Sequence, residues 1–132
     1  LGGRVLGAWL GHTQRRMLAI LKEAGFSALP PYRVLKAQAR GLAPMSCALG
    51  AGWLMAAEMA GWVNAGYRKV LCCQSFGCLP GHICARGQYA ALQRKLSGCL
   101  IVGVDFDPST GEGTVESRVR MLLDTELEPV GL

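Results

Sequence analysis

A chain of 132 residues, 51% of them hydrophobic, is long and apolar enough for one ordinary globular domain with a real core. Its 14 basic and 9 acidic residues give a net charge of +5 but form no block typical of nucleic-acid binding. The chain starts with Leu1, shows no secretory signal and keeps an even composition. We therefore expect residues 1–132 to be a single domain excised from a longer multidomain protein.

The apolar segments and cysteines exclude two further classes of protein. The longest apolar run, CALGAGWLMAAEMAGWV at 47–63, approaches the length of a membrane span, but Glu58 lies inside it, which favours a buried helix and no membrane partner. Six cysteines in a chain that can build a core do not indicate a secreted disulfide scaffold. We therefore expect reduced thiols in a cytoplasmic protein, where metal binding or redox chemistry is worth testing.

The first half of the chain predicts two helices followed by a strand and a third helix. Thr13 is placed to cap the first helix, whose apolar residues recur at helical spacing, and Gly25 is placed to end it. A weaker helix is predicted over 33–40. The run APMSCALG at 43–50 is typical of a short buried strand, and the helix after it ends at Gly66.

The second half of the chain predicts two strands, each followed by a helix. The segment 68–74 is strand-like, and residues 82–96 are mostly good helix formers. The continuous apolar run at 99–106 is typical of a strand in a parallel sheet that is covered on both faces. Ser109 and Glu112 then match the capping-box pattern at the start of the last helix.

The alternation of strands and helices predicts the fold class. We expect an α/β domain, a three-layer Rossmann-like fold with a mostly parallel sheet of about four strands. The turns CALGAGW, CQSFGCLPGH and DFDPSTGE would then share the carboxyl edge of the sheet, where ligands collect. The cysteine cluster, a glycine turn and a pair of aspartates are therefore expected to be neighbours in space.

The turn GAG at 50–52 resembles the start of a dinucleotide-binding fingerprint. Gly50 and Gly52 would allow backbone amides to approach a phosphate at the start of a helix. The third glycine of that fingerprint is absent, because Gly52 is followed by Trp53. A tight turn that allows close packing is therefore the favoured interpretation, with phosphate binding as the alternative.

Two aspartates and one histidine are further candidates for chemistry. Asp105 and Asp107 could ligate a divalent ion or move a proton, but turn formation and the dipole of the next helix explain them equally simply and are favoured. His82 lies four residues after Cys78 and could reach the same ligand or ion. A lone histidine is more often a surface or capping residue.

The cysteines differ in what their positions indicate. Cys72 and Cys73 are successive residues of a strand, so their side chains point to opposite faces. Cys78 precedes a predicted helix start, where backbone amides favour the thiolate that a metal ligand or nucleophile requires. Cys84 and Cys99 are typical of core residues. No C-x-x-C motif occurs, but iron–sulfur clusters also bind cysteines from scattered loops. The candidate ligands of such a cluster are Cys47, Cys72 or Cys73, Cys78 and Cys84.

Three segments together resemble a known family. GAGWLMAAEM, CCQSFGCLPGHICARGQ and VDFDPSTGEGTVESRVRML resemble, in order and spacing, the C-terminal part of proteins related to 2-hydroxyacyl-CoA dehydratase and its activator, the CoA-substrate-specific enzyme activases. The similarity covers residues 44–124, and its most specific motif, C-x-Q-x-F-G-C-L-P-x-H, runs from Cys72 to His82. Other residues on the family pattern are Gly50, Gly52, Glu58, Pro80, Asp105, Asp107, Pro108, Glu112 and Arg118.

The resemblance implies a function in electron transfer. It implies an iron–sulfur cluster, 4Fe-4S or larger, held by cysteines from separate lobes, so that other domains of the parent protein are partners. An ATP-hydrolysing activator component would deliver a low-potential electron, used on a CoA thioester. By the matching motif, Cys78 is the leading metal ligand and Cys72 the next, with Gly50, Gly52 and His82 as cofactor-binding residues. The isolated fragment is expected to be inactive.

The chain also departs from the family pattern at three positions. The pattern has Glu, Pro and Asn where this chain has Ala51, Ser75 and Gly81. These departures keep an alternative open. The alternative is a non-catalytic, Rossmann-like binding or docking module whose cysteines are inert.

Overall fold

The computed structural model describes residues 2–28 and 30–128 of the chain. Within these residues the chain forms five α-helices and two β-strands. The helices are α1 (Gly2–Glu23), α2 (Tyr32–Gln38), α3 (Trp53–Asn64), α4 (Tyr89–Lys95) and α5 (Glu112–Asp124), and the strands are β1 (Lys69–Ser75) and β2 (Leu100–Phe106). A π-helical segment, Gly81–Ala85, and a 3-10 turn, Arg86–Gln88, lead from the end of β1 into α4.

The two strands form a parallel sheet whose two faces have different neighbours. Lys69 pairs with Leu100 at one end of the register and Ser75 pairs with Phe106 at the other. Partners in a parallel pair point the same way, so one face is shared by Val70, Cys72, Gln74, Ile101, Gly103 and Asp105. This face packs against α3 and α4, while α5 lies on the other side, where Lys69 Nζ donates to the carbonyl oxygen of Leu123 at 2.5 Å.

The core lies between α3, α4 and the first face of the sheet. Its buried members are Ala56, Met59, Val70, Ala85, Leu92, Cys99 and Ile101. A smaller cluster of Leu35, Ala39 and Ala57 joins the α2 segment to α3. Five residues of α3 are buried, which confirms the interpretation of the long apolar run as a buried helix.

The predicted fold class is wrong. The described residues contain one sheet of two strands among five helices, not a three-layer Rossmann-like domain with four strands. The strand expected at 43–50 is a series of turns, in which the N–H of Cys47 donates to the carbonyl of Pro44 at 2.9 Å. Such local hydrogen bonds satisfy the backbone without a neighbouring strand, and Pro44 has no N–H to give to a sheet.

The glycine ends of two helices are confirmed. Gly25 follows α1 with φ +78° and Gly66 follows α3 with φ +98°, a backbone conformation that glycine adopts without a steric penalty. The N–H of Phe26 donates to the carbonyl of Leu21 at 2.9 Å, which is the Schellman bond that closes such a helix end. The equivalent bond closes α3.

The predicted helix starts are less accurate. The first helix begins at Gly2 and runs through Thr13, so Thr13 does not cap it. The last helix begins after Gly111 without a side-chain cap. The capping box is therefore wrong, because the Ser109 hydroxyl donates to Asp107 Oδ1 at 2.8 Å.

Helix α1 is exposed along its length and has no buried residue. Large apolar side chains such as those of Trp9, Met17 and Ile20 lie on its surface. A contact with the rest of the fold is a long hydrogen bond of 3.4 Å from the N–H of Tyr32 to Gln14 Oε1. Within the described part of the chain, neither α1 nor any other helix combines the length and apolar character needed to cross a bilayer.

We expect Leu92→Ala to destabilise the protein by about 2–5 kcal/mol, because Leu92 is fully buried between α4 and the sheet and its truncation leaves a cavity. Urea unfolding followed by circular dichroism measures the change. Leu123→Ala, at a side chain on α5 that is 64% exposed, is the matched control and should change the stability by less than about 0.5 kcal/mol. Equal losses in both variants would contradict this location of the core.

Candidate functional site

A group of polar side chains meets at the carboxyl end of the sheet, around Asp105 of β2. Gln74 is its register partner on β1, and Gln74 Nε2 donates to Asp105 Oδ1 at 2.6 Å. Arg86 Nη2 forms an ion pair with Asp105 Oδ2 at 2.7 Å. His82 Nε2 lies 4.0 Å from Asp105 Oδ1. We refer to Gln74, His82, Arg86 and Asp105 as the Asp105 network.

Local geometry brings these four residues together. Gln74 and Asp105 share the face of the sheet that the π-helical segment covers. His82 lies in that segment, and Arg86 follows four residues later, directly after the segment ends. Gly81 allows its close approach, because a Cβ there would lie 2.5 Å from Gln74 Oε1. A side chain at this position would therefore displace the Gln74 amide from its present orientation.

Neighbouring side chains stabilise the negative charge of Asp105. Burial alone would raise the pKa of this carboxyl, but the hydrogen bond from Gln74 and the positive charge of Arg86 outweigh it and lower the pKa below the usual 3.8. Asp105 is therefore an anion at neutral pH. An ionised carboxylate accepts hydrogen bonds on both oxygens, which matches the donors from Gln74 and Arg86.

The network reaches the turn that carries Cys78 through His82. The carbonyl of Cys78 accepts a hydrogen bond from the N–H of His82 at 3.0 Å, and His82 Nδ1 lies 3.0 Å from the same oxygen. Since a carbonyl only accepts, a hydrogen bond at this distance requires the tautomer with the proton on Nδ1. Gln74 Nε2 lies farther from Nδ1, at 3.4 Å. The N–H of Cys78 donates to the carbonyl of Ser75 at 3.1 Å. The backbone of Cys78 is thus fixed on both sides, and its thiol is free and half-buried.

Cys72 and Cys73 lie on opposite faces of β1, as their sequence positions predict. Cys72 is half-buried on the face that carries Gln74 and packs against the core, whereas Cys73 is exposed on the other face. The hydroxyl of Tyr89 is buried beside Cys72. Burial, followed by the neighbouring Cys72 thiol, raises the pKa of Tyr89.

Two further cysteines are core residues, as predicted. Cys84 is buried in the π-helical segment, and a hydrogen bond with the Cys47 thiol, followed by burial, raises the pKa of Cys84. Cys99 is buried just before β2, and burial raises its pKa too. Over residues 2–28 and 30–128, no three His, Cys, Asp or Glu side chains lie close enough to hold a metal ion. Cys72 and Cys78 are thus not part of a complete ligand set there.

The GAG turn packs against the turn that contains Cys78. Gly50 and Gly52 have φ +58° and +43°, and a Cβ at Gly50 would lie 3.0 Å from Pro80 Cγ. The N–H of Trp53 donates to the carbonyl of Cys47 at 2.8 Å, and the next two amides of α3 also have backbone acceptors. The amides at this helix start are therefore already bonded, and the glycines serve close packing.

The structure brings together the turns that the sequence predicts to be neighbours. Gly50 contacts Pro80, and His82 faces Asp105. Asp107 belongs to its own turn, as favoured above. Its Oδ1 accepts the N–H of Ser109 at 2.7 Å as well as the Ser109 hydroxyl, and these bonds lower the pKa of Asp107.

Sequence reasoning assigned no site role to Gln74, Arg86 or Tyr89, although Gln74 is a fixed position of the quoted motif. Signals for Gln74 and Arg86 were present. Gln74 alternates with Cys72 along β1, which places both on one face. Arg86 follows His82 by four residues in a predicted helix, a spacing that puts two side chains on one side. The Tyr89 hydroxyl has no comparable signal, because its burial depends on the glycine at 103 across the core face.

We expect Gly52→Ala to destabilise the protein at least about twice as much as Gly66→Ala. Both glycines have positive φ, so each alanine variant carries about 1–2 kcal/mol of backbone strain. A Cβ at Gly52 would in addition overlap the carbonyl of Cys47, whereas a Cβ at Gly66 would meet nothing. Urea unfolding compares the two variants, and equal losses would contradict the tight packing of the GAG turn.

We expect Asp105→Asn to remove part of the acid sensitivity of the fold. The pKa of Asp105 is lowered on folding, so its contribution to stability is present above about pH 3.8 and is lost as the pH falls through the lowered value. The wild type should thus lose more stability than Asp105→Asn below pH 4. Urea unfolding at several pH values measures this. Asp124→Asn, which removes a carboxylate from α5 outside the Asp105 network, is the matched control.

Comparison with known proteins gives no match to a family model, a curated protein or a solved structure. The resemblance carried by the motif residues stays a hypothesis.

Proposed function

We propose that this chain is part of a protein related to 2-hydroxyacyl-CoA dehydratase and its activator, and that it supplies Cys78 to an iron–sulfur cluster shared with other domains of the parent protein. The observation that supports the proposal is the Asp105 network beneath the Cys78 turn. Gln74, His82 and Arg86 come from one motif segment and Asp105 from another, yet they meet at one point. Residues that form a motif for a shared task are expected to meet in this way.

The ligand chemistry supports a shared cluster rather than one held by this chain alone. A 4Fe-4S cluster takes four cysteine thiolates, and the described residues bring no three candidate ligands together. A complete cluster therefore does not fit in this part of the chain. Under the proposal, Cys78 is one ligand, Cys72 is the next candidate, and other lobes supply the rest. When bound, such a cluster supplies one-electron transfer at low potential.

The residues of this chain would position the Cys78 thiol. The carbonyl and N–H of Cys78 are fixed by His82 and Ser75, so the side chain starts from a backbone that cannot turn freely. Asp105 faces the His82 ring, and the Arg86 charge balances the carboxylate. Residues that hydrogen-bond to a metal ligand and fix its orientation, without contacting the metal, are commonly needed for tight metal binding. The network would therefore prepare Cys78 before any cluster arrives.

The proposal includes partners and a location. An ATP-hydrolysing activator component would dock near the Cys78 turn, and a CoA thioester would be the substrate of the complete assembly. The parent protein would work in the cytoplasm, and this fragment alone would be inactive. His82, Gly50 and Gly52 would contribute to cofactor binding by holding the turns around Cys78 in place. The turn that contains Gly50 packs directly on Pro80.

A docking module with inert cysteines is the second candidate. It is favoured by the burial of Cys84 and Cys99 in the core. It is also favoured by the amides at the start of α3, which have backbone acceptors and offer no ready phosphate site. This module would hold neither a cluster nor a nucleotide, and its cysteines would affect only stability.

We expect Cys78→Ser in the longer parent protein, purified without oxygen, to lose the visible iron–sulfur absorption together with iron and acid-labile sulfide. Cys73→Ser is the matched control, because Cys73 is exposed on the opposite face of β1 and should keep the cluster. Cys99→Ser should keep it as well and lower only the stability. Equal loss in all three variants would contradict the role of Cys78. A parent protein that stays colourless after reconstitution would support the docking module.

A further inference from the structure

A groove of about 370 Å³ runs along the outer edge of β2, the edge that faces away from β1. Its walls and floor are Arg86, Tyr89 and Gln93 on the α4 side, Arg118 and Met121 of α5, and strand residues 100–103. The groove is separate from the Cys78 turn. It lies where a third strand of the sheet would be added.

Half of the backbone groups of β2 point away from β1, to the side on which the groove lies. The N–H of Leu100 donates to the carbonyl of Arg68 at 2.8 Å, and the carbonyl of Phe106 accepts from Phe76 at 2.9 Å, so even-numbered residues face β1. In a parallel ladder the direction alternates, and residues 101, 103 and 105 therefore face outward. Their N–H and C=O groups point to the side where a further strand would lie.

One of the outward backbone groups of β2 already has a hydrogen-bond partner. The N–H of Ile101 donates to Gln93 Oε1 at 2.6 Å, so a side chain occupies the place of a strand there. The amides of Gly103 and Asp105 face away from β1 and so lie outside the ladder between the two strands. The N–H of Gly103 lies at the groove, where the backbone of an added strand could accept it.

The α5 wall of the groove adds a charged group. Arg118 is exposed and forms no ion pair with the residues that the structure describes, whereas Arg86 is paired with Asp105. An occupant with a carboxylate would pair with Arg118. Its backbone could serve the edge of β2.

We propose that the outer edge of β2 binds an extended segment of another polypeptide, which joins the sheet as a third strand and places an acidic side chain on Arg118. A two-stranded sheet is marginal by itself, and a free, apolar edge strand is a template for another strand. Strand addition of this kind is a recurring mode of peptide recognition. The binding does not depend on an iron–sulfur cluster.

A second copy of this chain fits the edge less well than a single strand. Both copies would bring Arg118 to the contact, and the two like charges would repel each other. A single extended peptide enters between the walls, and its charge can be opposite.

The test uses an acetylated and amidated peptide of sequence TVEVT, titrated into the ¹⁵N-labelled chain and followed by NMR. We expect the amide signals of Gly103 and Asp105 to shift and the hydrogen exchange of Gly103 to slow, while the amide of Leu100, which faces β1, changes little. The peptide TVKVT should bind about threefold more weakly. TPEPT, which lacks two of the N–H donors, should not bind.

Charge reversal provides the second part of the test. Arg118→Glu should favour TVKVT over TVEVT, whereas Arg120→Glu, on the same helix but outside the groove, should keep the wild-type preference. The proposal is overturned if Gly103 and Asp105 do not shift up to the solubility limit of TVEVT. It is also overturned if both peptides bind equally to wild type and Arg118→Glu. Protection of Gly103 that grows with protein concentration alone, together with dimers in sedimentation, would assign the edge to a second copy instead.

Discussion

The half-buried carboxylate of Asp105 is the interaction on which the arrangement of the site depends. One oxygen binds Gln74 and so ties the end of β2 to the end of β1, while the other binds Arg86 and ties the strands to the chain that returns toward α4. His82 lies between these two links and holds the carbonyl of Cys78. Because hydrogen bonds of one network support each other, the loss of this single charge would loosen both the sheet end and the cysteine turn.

Local patterns were sufficient to predict the parts of the fold that depend on local physics. Gly25 and Gly66 end their helices because only glycine adopts the required backbone without strain, and the apolar run of β2 is visible by itself. The proximity of the Cys78 turn and Asp105 could be predicted because the carboxyl ends of two parallel strands lie at the same edge of the sheet. The extent of the sheet did not follow, because an apolar run at 43–50 suits a strand or a packed loop equally well, and Pro44 with its neighbours forms turns.

The network itself could be predicted only in part, because polar residues on a strand or helix usually face solvent. The residue types of Gln74 and Arg86 alone do not distinguish them from residues on the protein surface. Gly81 is informative in hindsight, because a side chain there would press on Gln74 Oε1. A side chain at position 81 would therefore require a different orientation of the Gln74 amide.

The π-helical segment Gly81–Ala85 makes the orientation of the residues after it depend on the length of the connection between β1 and α4. A π-helical turn contains about one residue more than an α-helical turn, and each residue turns a helix by about 100°. Deletion of a single residue here would keep a helix but rotate everything after it. Arg86 would leave Asp105, and Tyr89 would leave the edge of β2 in the same movement. The number of residues between Cys78 and Tyr89 therefore determines the direction in which the Arg86 and Tyr89 side chains point. A substitution that keeps this number cannot reproduce the effect of a deletion.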